Sequence, residues 1–292
     1  MTPTEVFTQA TFSPLALSAI VLIAAAYLFG VRRLAAKGRT WSGWRSVFFL
    51  LGELALVVAL TSGVDANDHV FSIHAIQHIL IGMLAPLFFA LSAPIALAVE
   101  TLAVEEGGGR LHDAILKALA GRISQAVFNP FFTWGFYAAS ALILYISGLY
   151  ALSARNGTVN DLVHLDLILA GCLFWWPVVG LDPIPKRMGY WSKMLYMILS
   201  MPFYTILGMA LESQRTSIAP GVSLTELHTG GGFLWFAGET IGLLGTVALF
   251  VLWLRSDERS AKSSDDYNEE SAARQLAHWR ATRDAAARAA SS

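Results

Sequence analysis

The chain has 292 residues, of which 55% are hydrophobic and only 14% are charged. With a mean hydropathy of +0.54 and a formal net charge of -1, it falls outside the range of soluble domains and is typical of an integral membrane protein. The charges are confined to short connectors and a polar tail, which argues against a nucleic-acid partner. The single cysteine, Cys172, excludes an intramolecular disulfide and a Cys-x-x-Cys metal site.

Seven apolar runs are long enough to cross a hydrocarbon core of about 30 Å, which takes roughly 20 helical residues. The predicted spans lie at about 15–35, 46–64, 73–99, 130–152, 162–180, 190–213 and 231–254. The predicted fold is therefore all-α, a polytopic bundle of seven transmembrane helices over 15–254. A short segment, 1–14, precedes this domain, and a charged tail, 255–292, follows it and is expected to be partly helical.

The distribution of Lys and Arg predicts the orientation of the spans. Basic residues cluster in the connectors after the first, third and fifth spans and in the tail, whereas the other connectors hold only Arg155 and Arg215. Because basic residues are enriched in cytoplasmic loops, the N-terminus is expected outside and the C-terminus in the cytoplasm.

Four histidines lie at the predicted outer ends of three inward-running spans. His74 and His78 begin the third span, His164 lies near the start of the fifth, and His228 precedes the seventh. A pair at positions i and i+4 places both imidazoles on one helix face, and ionisable groups inside spans usually mark function. We therefore predict a metal site formed by these four residues, in which neutral imidazoles suit copper or zinc. The alternative is that each is a half-solvated interfacial side chain.

Two polar residues flank these histidines on their own helices. Gln77 shares a face with His74 and is expected either to hydrogen-bond an imidazole or to pack against another helix. Asp161 precedes His164 by three positions and is a candidate to orient that ring.

Four further polar residues lie outside this predicted ligand set. Asp68 and His69 belong to the outer loop before the third span, where Asp68 would attract a cation. Asp166 points roughly opposite to His164 and is expected to serve another neighbour. Glu239, deep in the seventh span, is expected to be a protonated hydrogen-bonding group, with a proton carrier as the alternative.

Two prolines interrupt the third span. Pro86 and Pro94 each lack the backbone N–H that an α-helix needs, so they are expected to kink this helix or to end it early. Membrane helices tolerate such breaks when neighbouring groups satisfy the freed carbonyls.

Three stretches carry a resemblance to a known family. HAIQHILIGMLAPLFFALSAPIALA, AGCLFWWPVVG and GGGFLW resemble motifs of the CtaG-like family of seven-helix cytochrome c oxidase assembly factors, over roughly residues 15–254. The positions that match are His74, Gln77, His78, Pro86, Pro94, His164, Trp175, Trp176, Pro177 and Trp235. The chain departs from the family pattern at Ala75 and Ile79, where methionines often flank the paired histidines, and in YISGLY, which lacks a usual Trp-His.

The resemblance implies a role without turnover chemistry in assembling a haem-copper oxidase, by handling copper in the bacterial inner membrane. Its implied partners are oxidase subunits within the lipid bilayer, and a periplasmic copper donor is a further candidate. Zinc is the alternative metal.

Three other functions remain open at this point. The first is a seven-helix zinc hydrolase, in which three histidines leave a position for an activated water and Asp68 or Asp161 acts as acid or base. The second is a haem protein with His78 and His164 as axial ligands. The third is a metal-free scaffold for oxidase subunits.

Overall fold

The computed structural model describes residues 14–103, 109–185 and 187–254, and within these ranges it contains helices and no strand. The helices are α1 (Pro14–Ala36), α2 (Gly43–Thr61), α3 (Gly63–Ala66), α4 (Phe71–Ile79), α5 (Ala85–Ser92), α6 (Pro94–Ala103), α7 (Arg110–Ala120), α8 (Arg122–Val127), α9 (Pro130–Ile146), α10 (Leu149–Ser153), α11 (Gly157–Val179), α12 (Tyr190–Glu212) and α13 (Leu224–Leu254), and a π-helical turn (Leu80–Leu84) joins α4 to α5. The all-α prediction is confirmed for the described chain. The predicted tail and residues 1–13 lie outside these ranges.

Six helical segments in the described ranges are long and apolar enough to cross a membrane, so the chain is a multi-pass membrane protein. They are Ala16–Ala36, Gly43–Ala66, Phe71–Ala103, Gly157–Val179, Tyr190–Glu212 and Leu224–Leu254. The span predicted at 130–152 corresponds to the shorter apolar helix α9, which ends at Ile146 before Gly148 in a left-handed conformation. The seventh span and the orientation of the termini therefore stay predictions.

The third span breaks where its prolines predict. Pro86 has no N–H to donate to the Gly82 carbonyl, and the chain forms the π-helical turn immediately before it. The second break comes at Ala93, whose φ of 52° is left-handed, and α6 begins at Pro94. The predicted interruption of this span is confirmed.

Two glycines let neighbouring helices approach the broken span closely. A Cβ on Gly171 of α11 would collide with the Gly82 carbonyl oxygen and would lie 2.6 Å from Cγ of Pro86. A Cβ on Gly52 of α2 would lie 2.7 Å from the Phe89 ring. Backbone contact of this kind needs a residue without a side chain, so these two glycines set the packing of α11 and α2 against α5 and the π-helical turn.

An apolar cluster joins α1 and α2 to the broken span. It contains Tyr27, Leu34, Phe49 and Leu97, and the Tyr27 and Phe49 rings stack with centroids 3.8 Å apart. The Tyr27 hydroxyl accepts a hydrogen bond from Trp41 and donates one to the carbonyl of residue 92. The phenol is thereby satisfied inside an apolar environment.

The buried carboxyl group of Asp182 anchors the C-terminal end of α11. Asp182, which is fully buried in the connector after α11, accepts hydrogen bonds from the Ala96 backbone N–H and the Trp176 indole N–H, both at 2.7 Å. Burial raises the pKa of Asp182 to about 6, although both hydrogen bonds act to lower it. The carboxyl group thus ties α11 to α6.

Gly171→Ala tests the close approach of α11 to the π-helical turn. We expect the added methyl group to lower the free energy of unfolding by about 1–3 kcal/mol, because the Gly82 carbonyl has to move away. Unfolding in mixed detergent micelles measures the effect. The matched control is Gly157→Ala in the same helix, whose Cβ would meet nothing within 4 Å. Equal losses in both variants would contradict this account.

The buried carboxyl group of Asp182 predicts a pH dependence of stability. Between its ordinary pKa of 3.8 and about 6, the folded chain keeps a proton that the unfolded chain releases, so the free energy of unfolding falls as pH rises through this window. The difference between these two pKa values corresponds to about 3 kcal/mol. In unfolding curves measured from pH 4 to 7, Asp182→Asn should flatten the slope. Parallel slopes for the two proteins would refute the assignment.

Candidate functional site

Three of the four predicted histidines come together between α4 and α11. The ring centroids of His74 and His78 lie 3.9 Å apart, and those of His78 and His164 lie 5.6 Å apart at nearly a right angle. The exposed fractions of the three side chains are 4%, 4% and 6%. We refer to His74, His78 and His164 as the histidine cluster. Its formation follows from the Gly82 and Gly171 contact, because His78 and His164 lie one and two turns before these glycines.

Each ring of the histidine cluster has a buried nitrogen without a partner. The Nε2 atoms of His74, His78 and His164 make no hydrogen bond within the described residues. Buried polar atoms are almost always satisfied, because leaving one unpaired costs about 1–3 kcal/mol. The histidine cluster therefore holds three such unpaired atoms on adjacent rings.

Two tyrosines that the sequence prediction missed complete the surroundings of the cluster. The Tyr145 hydroxyl lies 2.9 Å from Nδ1 of His78, and the Tyr150 ring meets the His74 ring edge-on at 4.9 Å. Both phenols are buried, and Phe71 packs against each of them. A tyrosine in an apolar segment needs a hydrogen-bond partner for its hydroxyl group, so the sequence indicates that Tyr145 and Tyr150 have partners. The sequence does not show which residues those partners are.

Gln77 joins helices instead of contacting a histidine. Its fully buried amide donates to the Ala59 carbonyl at 2.9 Å and to the Asp65 carboxylate at 3.0 Å. Of the two roles expected for Gln77, the structure therefore shows packing against another helix. Asp65, at the end of α3, is also one of the two carboxylates that act electrostatically on His164.

The remaining predicted residues near His164 lie elsewhere. Asp161 is exposed and acts on His164 through its charge. Asp166 lines a separate cavity of about 190 Å³ with Leu144 and Leu167. His228 is held outside the cluster, where its Nε2 lies 3.1 Å from the Gln214 carbonyl oxygen.

Glu239, the polar residue predicted deep in the last span, also has a specific partner. Its carboxyl group accepts a hydrogen bond from the hydroxyl of Thr205 on α12. This contact joins α12 and α13 inside the apolar part of the chain.

A polar cavity of about 470 Å³ leads to the histidine cluster. It extends from exposed His69 to buried His74, and Asp68, Tyr150 and Asn160 contribute to its wall. Burial and the charge of Asp65 raise the pKa of Asp68, against the smaller effect of His69. A cation that entered this cavity would favour the ionised form of Asp68.

The described ranges contain no group of three or more His, Cys, Asp or Glu side chains already arranged as an ion site. The histidine cluster therefore offers three unpartnered nitrogens without a preformed coordination shell. The assignment of His74, His78, His164 and His228 as metal ligands therefore stays a prediction.

Comparison with known proteins identifies one matching family. The family model described as cytochrome c oxidase caa3 assembly factor (Caa3_CtaG) matches residues 25–256. No solved structure is a significant match to the chain.

Similar proteins occur in mycobacteria. Proteins described as uncharacterized in Mycobacterium bovis and Mycobacterium tuberculosis are each 29% identical to the chain over 276 residues, which are 89% of this chain and 42% of theirs. A third, from Mycobacterium leprae, is 27% identical over 273 residues, 89% of this chain and 41% of its own length. The chain thus spans about two fifths of the length of these relatives.

Gln77→Leu tests whether the Gln77 amide connects α4 to α2 and α3 beside the histidine cluster. Leucine keeps much of the volume but leaves the Asp65 carboxylate without its amide donor, so we expect the free energy of unfolding to fall by about 1–3 kcal/mol. Unfolding in detergent micelles provides the measurement. Gln125→Leu, at an exposed position with a local hydrogen bond, should change it by less than about 0.5 kcal/mol. A similar small change in both variants would show that Gln77 does not connect the helices.

Proposed function

The chain belongs to the family of cytochrome c oxidase caa3 assembly factors, and from this premise we propose that its histidine cluster holds copper destined for a haem-copper oxidase. The family places it as a multi-pass protein of the bacterial membrane. The proposed role is carriage of the metal and has no catalytic step. Oxidase subunits are the proposed recipients, and a periplasmic copper donor is the proposed source.

The observation that carries this proposal is the set of three buried, unpartnered Nε2 atoms on adjacent rings. Neutral imidazole nitrogen is a ligand for both copper states and for zinc. A bound ion would supply the interaction that these atoms lack.

Tyr145 provides the second support, because its hydroxyl group lies 2.9 Å from Nδ1 of His78. If Nδ1–H of His78 donates to the Tyr145 hydroxyl oxygen, the lone pair on Nε2 is free to bind metal. Histidine ligands in proteins commonly donate their other ring N–H in this way. Tyr145 would then act as a positioning residue.

The proposed route for the ion is the polar cavity beside His74. Asp68 and His69 lie where a cation would enter, and Asp68 supplies negative charge. In the predicted topology of seven spans with the N-terminus outside, this cavity faces the periplasm, where a copper donor would meet it.

A metal-free scaffold is the second candidate, and ring packing is the observation that favours it. His74 and His78 lie against each other at 3.9 Å, and His74 also packs on Phe71 and Tyr150. In this alternative the cluster serves only as part of the helix interface, and oxidase subunits bind elsewhere on the chain. No observation in the described residues favours a zinc hydrolase or a haem site.

Copper retention by variants tests the leading proposal. Purified protein is equilibrated with Cu(I) under reducing conditions, passed through a desalting column and analysed for metal. We expect His78→Ala and His78→Gln to lower copper affinity at least tenfold, because each removes one imidazole nitrogen donor. His112→Ala, which changes a histidine on α7 outside the cluster, should retain wild-type copper.

Equal copper in wild type and both His78 variants would overturn the metal proposal. A triple variant with His74→Ala, His78→Ala and His164→Ala then separates the two candidate functions. If this variant restores full oxidase activity to a strain that lacks the protein, the scaffold is correct. Unfolding midpoints of every variant, measured in detergent, confirm that a loss of copper does not reflect a loss of fold.

A further inference from the structure

An apolar groove lies between the first turns of α9 and α12, away from the histidine cluster. Its volume is about 520 Å³. Its walls include Phe131 and Trp134 from α9 and Ser192, Leu195, Tyr196 and Leu199 from α12. The residues from α12 recur at intervals of three or four, so the groove follows this helix for about 10 Å along its axis.

The groove faces outward from the helices. Phe131, Leu195 and Leu199 are 88%, 58% and 53% exposed. In a protein that crosses a bilayer, large exposed apolar side chains contact lipid chains. A groove that follows the membrane-crossing helix α12 therefore has the polarity to hold a hydrocarbon chain.

A small basic pocket continues the groove at the helix ends. Its volume is about 210 Å³, and it shares Arg187 and Gly189 with the groove while adding Lys193 and Gly180. Lys193 is half-buried, and its ammonium group donates to the Val179 carbonyl at 3.3 Å. The positive charge of Arg187 lies close enough to repel the Lys193 ammonium group.

The two cations have no described counter-ion. The ion pairs found in the described ranges involve Arg39 with Glu100 and His112 with Asp113, and neither includes Arg187 or Lys193. Arg187 is exposed and Lys193 is half-buried, and because both line one pocket, an anion between them would reduce the repulsion between their like charges. The basic pocket therefore matches an anionic group.

We propose that the groove and the basic pocket together form a binding site for an anionic phospholipid, with the phosphate between Arg187 and Lys193 and one acyl chain along α12. Basic pockets between membrane helices are a known means of binding anionic headgroups. A soluble anion would fill only the pocket, and a zwitterionic lipid would bring its own ammonium group close to the two cations, which repel it. The site is independent of the proposed role in copper handling.

Lipid retention by the full-length protein tests this site. The protein is incubated in mixed micelles with equal amounts of phosphatidylglycerol and phosphatidylcholine, repurified, and its bound lipid is measured by native mass spectrometry. We expect wild type to retain phosphatidylglycerol over phosphatidylcholine by about tenfold, since both headgroup charge and chain are recognised. Arg187→Gln combined with Lys193→Gln should abolish this preference.

Two further variants make the test specific. Lys117→Gln combined with Arg122→Gln removes two basic residues of α7 and α8 that do not line the groove, and it should retain the wild-type preference. Ser192→Trp fills the groove and keeps both cations, so it should lose most of the bound phosphatidylglycerol. Unfolding midpoints without added lipid show whether each variant is folded.

Two outcomes would overturn the proposal. One is an unchanged preference in the Arg187 and Lys193 double variant, which would mean that the basic pocket does not select the lipid. The other is full retention in Ser192→Trp together with loss in the double variant. That combination would show that the basic pocket binds the lipid headgroup without an acyl chain in the groove, so the two would not form one site.

Discussion

The close approach of two backbones at Gly82 and Gly171 is the constraint on which the centre of this protein depends. Pro86 withdraws a donor from the Gly82 carbonyl, the helix loosens into a π turn, and a residue without a side chain on α11 packs directly over it. This contact sets the depth of α11 relative to α4. His164 consequently lies beside His78, so a backbone irregularity in one helix determines which side chains of two helices meet.

The histidine cluster differs from much of the apolar interior in that each of its rings has a buried nitrogen without a hydrogen-bond partner in the described residues. Elsewhere several buried hydroxyl groups are paired across helices, as Thr133 is with Tyr196 and Tyr137 with Tyr204. Of the eight buried side-chain polar atoms without a partner in the described ranges, four belong to the cluster and to Gln77 beside it. An unpaired polar atom is costly in a low-dielectric interior, and the proposed copper ion would remove this cost at the three histidines.

The described chain separates two kinds of chemistry along its helices. Imidazoles and carboxyl groups collect at the end where α4 and α11 begin, beside a polar cavity. Basic side chains collect where α9 and α12 begin, beside an apolar groove. Asp182 stabilises that second end by tying α11 to α6, and Gln77 ties α4 to α2 and α3 at the first. The rigid connections therefore lie next to the two places where ligands are proposed to bind.

The sequence by itself determined the membrane class, the all-α fold, the two breaks in the third span and the family. Each of these depends on residues that are close together in the chain: the length of an apolar run, the position of a proline or a short motif. It also selected His74, His78 and His164, although it included His228 on the same grounds of depth. Only the tertiary structure decided that Gln77 joins helices, that Tyr145 meets His78 and that α9 ends at Ile146. Depth along a span can be counted from the sequence, whereas the rotation and approach of one helix against another depend on packing contacts between residues far apart in the chain.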